Sequence, residues 1–167
     1  MVDRQPKNWF ARIVTRGRSN MYLDSAIIVK LLVRETDSAW FNQHLAGHPF
    51  ETSELALAEV RSALLAKERA GHVSSRERVS AGEKFLAMIE DDLIQLRPMN
   101  RRVLDRASAM QFACHPKIPL RTLDALHVAT ADLHKCDSLS TTDNRMRAAC
   151  EQFAIALMPS CIEDILI

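Results

Sequence analysis

Four acidic residues carry the strongest chemical signal in this sequence: Asp24, Glu59, Asp124 and Asp143. Asp24 ends the short apolar run Met21-Tyr22-Leu23, and Asp143 directly follows Leu139-Ser140-Thr141-Thr142. Both runs read as strands that deliver an acid to their carboxyl ends. Glu59 lies inside the apolar stretch Leu55-Ala56-Leu57-Ala58-Glu59-Val60. At helical spacing Leu55 and Ala56 share its face, and Val60 and Ala63 extend it. A carboxylate on such a stripe is costly to desolvate unless it is paired or ligates a cation. Arg61 is two residues away and points elsewhere. Asp124 falls in the first turn of the helix opened by Thr122-Leu123-Asp124-Ala125, where the helix dipole favours its ionised form.

Each acid taken singly also has an ordinary role. Asp124 and Asp143 could cap helices, Asp24 could bond backbone amides at a strand end, and Glu59 could pair with a distant arginine. Their joint placement points to chemistry. In open α/β sheets, ligands sit beyond the carboxyl ends of the strands. Converging carboxylates raise one another's pKa, and a hard divalent cation offsets that repulsion. An all-oxygen donor set favours Mg²⁺ or Mn²⁺ over zinc. Such a centre suits phosphodiester hydrolysis: it makes hydroxide available near neutrality and offsets charge on the phosphate and the leaving oxygen.

The elements that must position these acids alternate along the chain. After β-like Met21–Asp24, Ser25 can cap a helix through Val33, and a second helix covers Ser38–Leu45. A strand is expected at Phe50–Ser53. Thr52 or Ser53 can then cap Glu54–Ala70. Ser74–Ser75 opens a helix to about Asp91, followed by a strand at Ile94–Arg97. Asn100–Cys114 is helical by period. Thr122 can cap Leu123–Lys135, Ser138–Thr141 is a strand, Asp143 can cap a helix to about Phe153, and Ala154–Met158 is a final strand. This alternation predicts an α/β domain with three layers, its mainly parallel central sheet of four to five strands covered on both faces.

The chain has 167 residues, a length that fits one core. Basic and acidic residues nearly balance at 22 against 21, so any nucleic-acid surface must be local. No apolar run reaches the ~20 residues that span a membrane, and no secretory signal is present, which predicts a cytoplasmic protein. The four cysteines form no CxxC pair and read as small buried hydrophobes. Residues 1–20 carry several arginines without apolar periodicity. They read as an upstream-extended start or an added leader ahead of a domain spanning 21–167, with a basic RNA-touching arm as the third option.

The quoted motifs resemble those of PIN-domain nucleases. Met21-Tyr22-Leu23-Asp24-Ser25 resembles their opening strand, Ser53-Glu54-Leu55-Ala56-Leu57-Ala58-Glu59-Val60 their second motif, Leu123 to Ala131 the third, and Leu139-Ser140-Thr141-Thr142-Asp143 the fourth. The resemblance runs from Met21 to about Met158. Within the family, the size is most similar to the VapC toxins of toxin–antitoxin pairs. That resemblance implies a Mg²⁺- or Mn²⁺-dependent endoribonuclease, a VapB-like antitoxin partner and a homodimer. By motif position it makes Asp24, Glu59, Asp124 and Asp143 the metal-site acids and Ser25 and Thr141 supporting hydroxyls. The chain departs from the pattern in its leader and in lacking an aromatic after Asp143.

Several other residues invite a role. His127 and His134 follow Asp124, but a zinc site there lacks a third ligand, and His127 reads as a packed or solvent-edge residue. Arg121 could contact an RNA phosphate or simply be solvated. The clusters Arg76–Arg78 and Arg101, Arg102, Arg106 could track a backbone. Trp40, Phe41 and Leu45 could form a dimer or antitoxin face, with core packing the default. Two rival functions remain. A phosphotransfer module would need an acid where Ala26 stands, or a lysine where Pro159–Ser160 stand. A catalytically inert PIN-like binding or regulatory module would keep the fold without the chemistry.

Overall fold

The computed structural model describes residues 20–45 and 48–165; the expectation for the leader therefore lies outside the described residues, apart from Asn20. Its first strand, β1 (Met21–Leu23), sets the layering. Successive strand side chains point to opposite faces. Met21 and Leu23 enter one hydrophobic cluster, and Tyr22 enters the other. All three are buried because β1 lies in the middle of the sheet.

The sheet has five strands in the order β3-β2-β1-β4-β5. They are β1, β2 (Phe50–Ser53), β3 (Ile94–Arg97), β4 (Ser138–Ser140) and β5 (Leu157–Met158), and every pairing is parallel. The chain winds outward from β1 to β3, then returns to the far side of β1 as β4 and β5. The reversal falls between β1 and β4, where Tyr22 aligns with Leu139 and Leu23 with Ser140. A reversal of this kind opens a crevice at the carboxyl edge.

One face is covered by α1 (Ser25–Leu32), α2 (Ser38–Leu45), α3 (Ala56–Arg69) and α4 (Ser75–Glu90). Ile27, Ile28, Phe41, Leu45, Val60, Leu64 and Phe85 form its core with Leu23 and Ile94. Phe41 and Leu45 are core, and the partly buried Trp40 packs against them and stacks on His44. The other face is covered by α5 (Arg101–Cys114), α6 (Thr122–Leu133) and α7 (Asn144–Gln152). Val103, Met110, Val128, Leu139 and Cys150 fill that side. A 3₁₀ turn at Ile162–Ile165 returns Ile165 to the first cluster. Cys114 and Cys150 are buried as expected, whereas Cys161 is exposed. No helix among the described residues is long and apolar enough to cross a membrane.

Helix starts differ from expectation in three places. Asp24, not Ser25, caps α1, accepting the Ile27 N–H at 2.8 Å. The α3 start has no side-chain cap: Thr52 donates to the Leu23 carbonyl, and Ser53 Oγ accepts the Leu55 N–H one residue before the helix. The α6 cap position is Arg121, again without a side-chain bond, so the Thr122 hydroxyl is not used as a cap. The expected caps at Ser74 and Asp143 are present, with a full capping box between Ser74 and Glu77, and Asn100 caps α5 through the Val103 N–H.

Candidate functional site

Asp24 leaves β1 at the crevice. Its backbone N–H still bonds the Ser140 carbonyl at 3.2 Å, which continues the ladder and fixes the acid beside the end of β4. The side chain is 4% exposed. Burial pushes its pKa up, and the neighbouring Glu59 charge adds to this, while the Thr141 hydroxyl, the Ile27 N–H and His127 oppose it. The Thr141 hydroxyl has the Asp24 carboxylate and, at 3.7 Å, the Met146 sulfur within reach. The carboxylate is the stronger acceptor. Thr141 Oγ1 also accepts the Asp143 N–H at 3.1 Å, so one buried hydroxyl links the two strand-end acids.

Glu59 arrives from the opposite layer to α6. It follows the buried Ala56 on the first turn of α3 and is half-buried at the edge of the crevice. Its partner is a histidine, not an arginine. His127 Nε2 lies 2.7 Å from Glu59 Oε2, and the Ser25 hydroxyl donates to the same oxygen. Burial raises the Glu59 pKa, but the bonds from His127 and Ser25 outweigh it and hold the group below its ordinary range. The structure places the Ser25 hydroxyl against the Glu59 carboxylate. His127 is 3% exposed, so it is the packed alternative of its two readings, and its ring is also hydrogen-bonded to Glu59 and Tyr22.

Asp124 and Asp143 form a second pair. Burial and the Asp143 charge raise the Asp124 pKa, with Arg145 and Arg121 opposing. Asp124 Oδ2 is buried without a hydrogen-bond partner. Asp143 caps α7 through the Arg145 and Met146 N–H groups and also accepts Arg145 Nη2 at 2.9 Å. Burial raises its pKa, but these bonds bring it below the ordinary value. The Arg145 Nε lies 3.9 Å from Asp124 Oδ2, so one guanidinium faces both acids. Arg145 is the functional neighbour that sequence reasoning missed; its proximity to Asp143 was visible, but nothing local indicated that it reaches Asp124 on another helix. Arg121 is exposed at the start of α6.

The charges of Asp24 and Glu59 thus act on one another, as do those of Asp124 and Asp143, and Thr141 stands between the Asp143 backbone and the Asp24 carboxylate. Among the described residues no three His, Cys, Asp or Glu side chains already stand within reach of one metal ion. The donor chemistry nonetheless fits a hard cation. All four are carboxylates, two have raised pKa values, one oxygen is orphaned, and an arginine offsets only part of the second pair's charge.

Comparisons with known proteins agree with this architecture. The PIN domain family model matches residues 21–152. Ribonuclease VapC46 of Mycobacterium tuberculosis is 40% identical over 141 residues, which cover 83% of this chain and 95% of that protein. The crystal structure of Mycobacterium tuberculosis VapC20, described as a sarcin–ricin loop cleaving toxin, has a TM-score of 0.61 at 18% identity and covers 78% of this chain and 95% of its own. A toxin–antitoxin complex from Klebsiella pneumoniae has a TM-score of 0.54 at 17% identity, covering 77% of this chain and 91% of its own. Two interacting carboxylate pairs, carried by β1, α3, α6 and the end of β4, thus lie on a chain that matches both a family model and a relative over most of its length: the protein belongs to the PIN-domain family.

Proposed function

We propose that this chain is a divalent-metal-dependent endoribonuclease and the toxin of a toxin–antitoxin pair. What supports the reading is two interacting carboxylate pairs, Asp24 with Glu59 and Asp124 with Asp143, in a chain 40% identical to a protein named as a ribonuclease. Asp24, Glu59, Asp124 and Asp143 would hold Mg²⁺ or Mn²⁺. When bound, the cation supplies a water of lowered pKa and offsets charge on the scissile phosphate. The chain's own residues do the rest. Ser25 and His127 fix one oxygen of Glu59, which leaves the other free to face the crevice. Thr141 holds Asp24 and the Asp143 backbone in register. Arg121, exposed beside Asp124, contacts a phosphate of the RNA.

The partner is a VapB-like antitoxin, in keeping with the toxin–antitoxin complex among the structural neighbours. The toxin acts in the cytoplasm as a homodimer. The test is cleavage of RNA with Mg²⁺ or Mn²⁺, with and without EDTA, by the wild type, Asp24→Asn and Asp143→Asn. Cleavage that needs the metal and is lost in both variants is the expected result. Cleavage by a folded, nuclease-free preparation of either variant would sink the site. Absence of any metal-dependent cleavage by the wild type would leave the inert binding module as the better reading.

A further inference from the structure

Tyr22 is fully buried beneath the crevice, yet it is a tyrosine where phenylalanine would fill the same space. Its hydroxyl accepts the Ser53 N–H at 3.0 Å and lies 2.7 Å from His127 Nδ1. Thr52 and Thr130 also border it, but their protons go to the Leu23 and Leu126 carbonyls, at 2.8 and 2.7 Å. The Tyr22 proton is therefore available to His127 Nδ1. At the other end of the ring, Nε2 lies 2.7 Å from the Glu59 carboxylate and 3.3 Å from Ser25 Oγ. Ser25 spends its own proton on Glu59. A bare nitrogen at that distance from a carboxylate would repel it, so the proton must sit on Nε2.

We propose that Tyr22 and His127 are positioning residues for Glu59: Tyr22 donates to Nδ1, holds the Nε2–H tautomer, and aims that proton at Glu59 across the top of the sheet. The relay begins at the Ser53 N–H of β2, passes through β1 and α6, and ends on α3. It thereby ties a carboxylate of one layer to the buried core of the other. Glu59 sits on the first turn of a helix that lacks a side-chain cap, so the relay supplies orientation that the helix start does not. Ordered partners behind a ligating group change metal affinity by about 10–100-fold when removed.

This inference rests on the reading of Glu59 as a metal ligand, and the experiment separates the two. Mn²⁺ affinity is measured by calorimetry for the wild type, Glu59→Gln, His127→Leu, His127→Gln and Tyr22→Phe, with circular dichroism as the check on folding. The ring protonation of His127 is read by ¹H–¹⁵N correlation in the metal-free protein. The expected result is weaker Mn²⁺ binding by about ten-fold or more in His127→Leu. His127→Gln, which keeps an N–H donor, recovers part of it. Tyr22→Phe weakens binding less and, with Nδ1 left without its donor, loosens the Nε2–H bond to Glu59, read as an upfield shift of the Nε2 proton. Wild-type affinity in His127→Leu, alongside a loss in Glu59→Gln, would overturn the positioning role alone. Wild-type affinity in Glu59→Gln would overturn the metal-site reading and the relay with it. A ring proton found on Nδ1 in the wild type would also overturn the relay, and Tyr22→Phe gives a near-isosteric variant that keeps the test valid if His127→Leu fails to fold.

Discussion

Arg145 Nη2 stands 2.9 Å from Asp143 Oδ2, and Arg145 Nε stands 3.9 Å from Asp124 Oδ2. One side chain of the chain itself thus offsets charge on two acids that a cation would otherwise need to neutralise. Removing it should have opposite effects on the two forms of the protein. Arg145→Ala is expected to lower the melting temperature in EDTA, because the Asp124 and Asp143 charges then face each other unscreened. The same variant should bind Mn²⁺ several-fold more tightly and gain a larger thermal shift from it, since binding to the folded form stabilises by mass action. A thermal-shift series across Mn²⁺ concentrations checks this, and weaker binding than the wild type would contradict it.

Asp24 illustrates a site that costs stability. Its folded pKa is raised above the ordinary 3.8, chiefly by burial. The folded form therefore binds this proton more tightly than the unfolded chain does, and stability in EDTA falls as pH rises from about 3.8 through the raised value. Asp24→Asn keeps an oxygen for the Ile27 N–H and removes the charge. It should raise the melting temperature at pH 7 by a few degrees, flatten the loss above pH 4, and abolish metal binding. Melting curves from pH 4 to 8 in EDTA test it; a lower melting temperature than wild type at neutral pH would count against a buried, poorly solvated carboxylate.

The acids were legible in the sequence because their surroundings are local. Asp24 and Asp143 each end or follow a short apolar run, and those runs are strands at Met21–Leu23 and Ser138–Ser140. What the sequence hid was the partner of each side chain. Ser25 has the composition of a cap, but it sits inside the first turn of α1 and serves Glu59, while Asp24 takes the cap. His127 lies on an apolar helix face, where a packed ring is the usual reading. Its bonds to Tyr22 and Glu59 link residues far apart in sequence, and only the parallel pairing of β1 with β2 and β4 places them together. Helix period and strand alternation carry no such long-range information.

A second ion pair lies away from the crevice. Glu51 on β2 is buried, and Arg97 on β3 donates to it through both Nε and Nη2. Breaking a buried pair from one side leaves the other charge uncompensated, at about 3–5 kcal/mol. The partial exposure of Arg97 reduces that figure. Arg97→Ala should therefore unfold at distinctly lower urea concentration than wild type. Arg101→Ala, which removes an exposed i,i+4 pair with Asp105, should leave the midpoint unchanged. Equal effects from the two substitutions would mean that the Glu51 carboxylate finds other partners.

Thr141 supplies the most economical test of how the two carboxylate pairs are joined. Its hydroxyl is fully buried, accepts the Asp143 N–H at 3.1 Å and serves the Asp24 carboxylate. Thr141→Val preserves the shape and deletes both bonds. The stranded N–H is expected to cost about 1–3 kcal/mol, and the Asp24 pKa should rise further once its donor is gone. Because the N–H and the carboxylate belong to different pairs, the variant should also weaken Mn²⁺ binding, whereas Thr141→Ser restores both bonds and should restore both properties. If Thr141→Val lost stability while binding Mn²⁺ as the wild type does, the hydroxyl would be a structural link only, and the spacing of Asp24 from Asp143 would have to be set by the β1/β4 ladder alone.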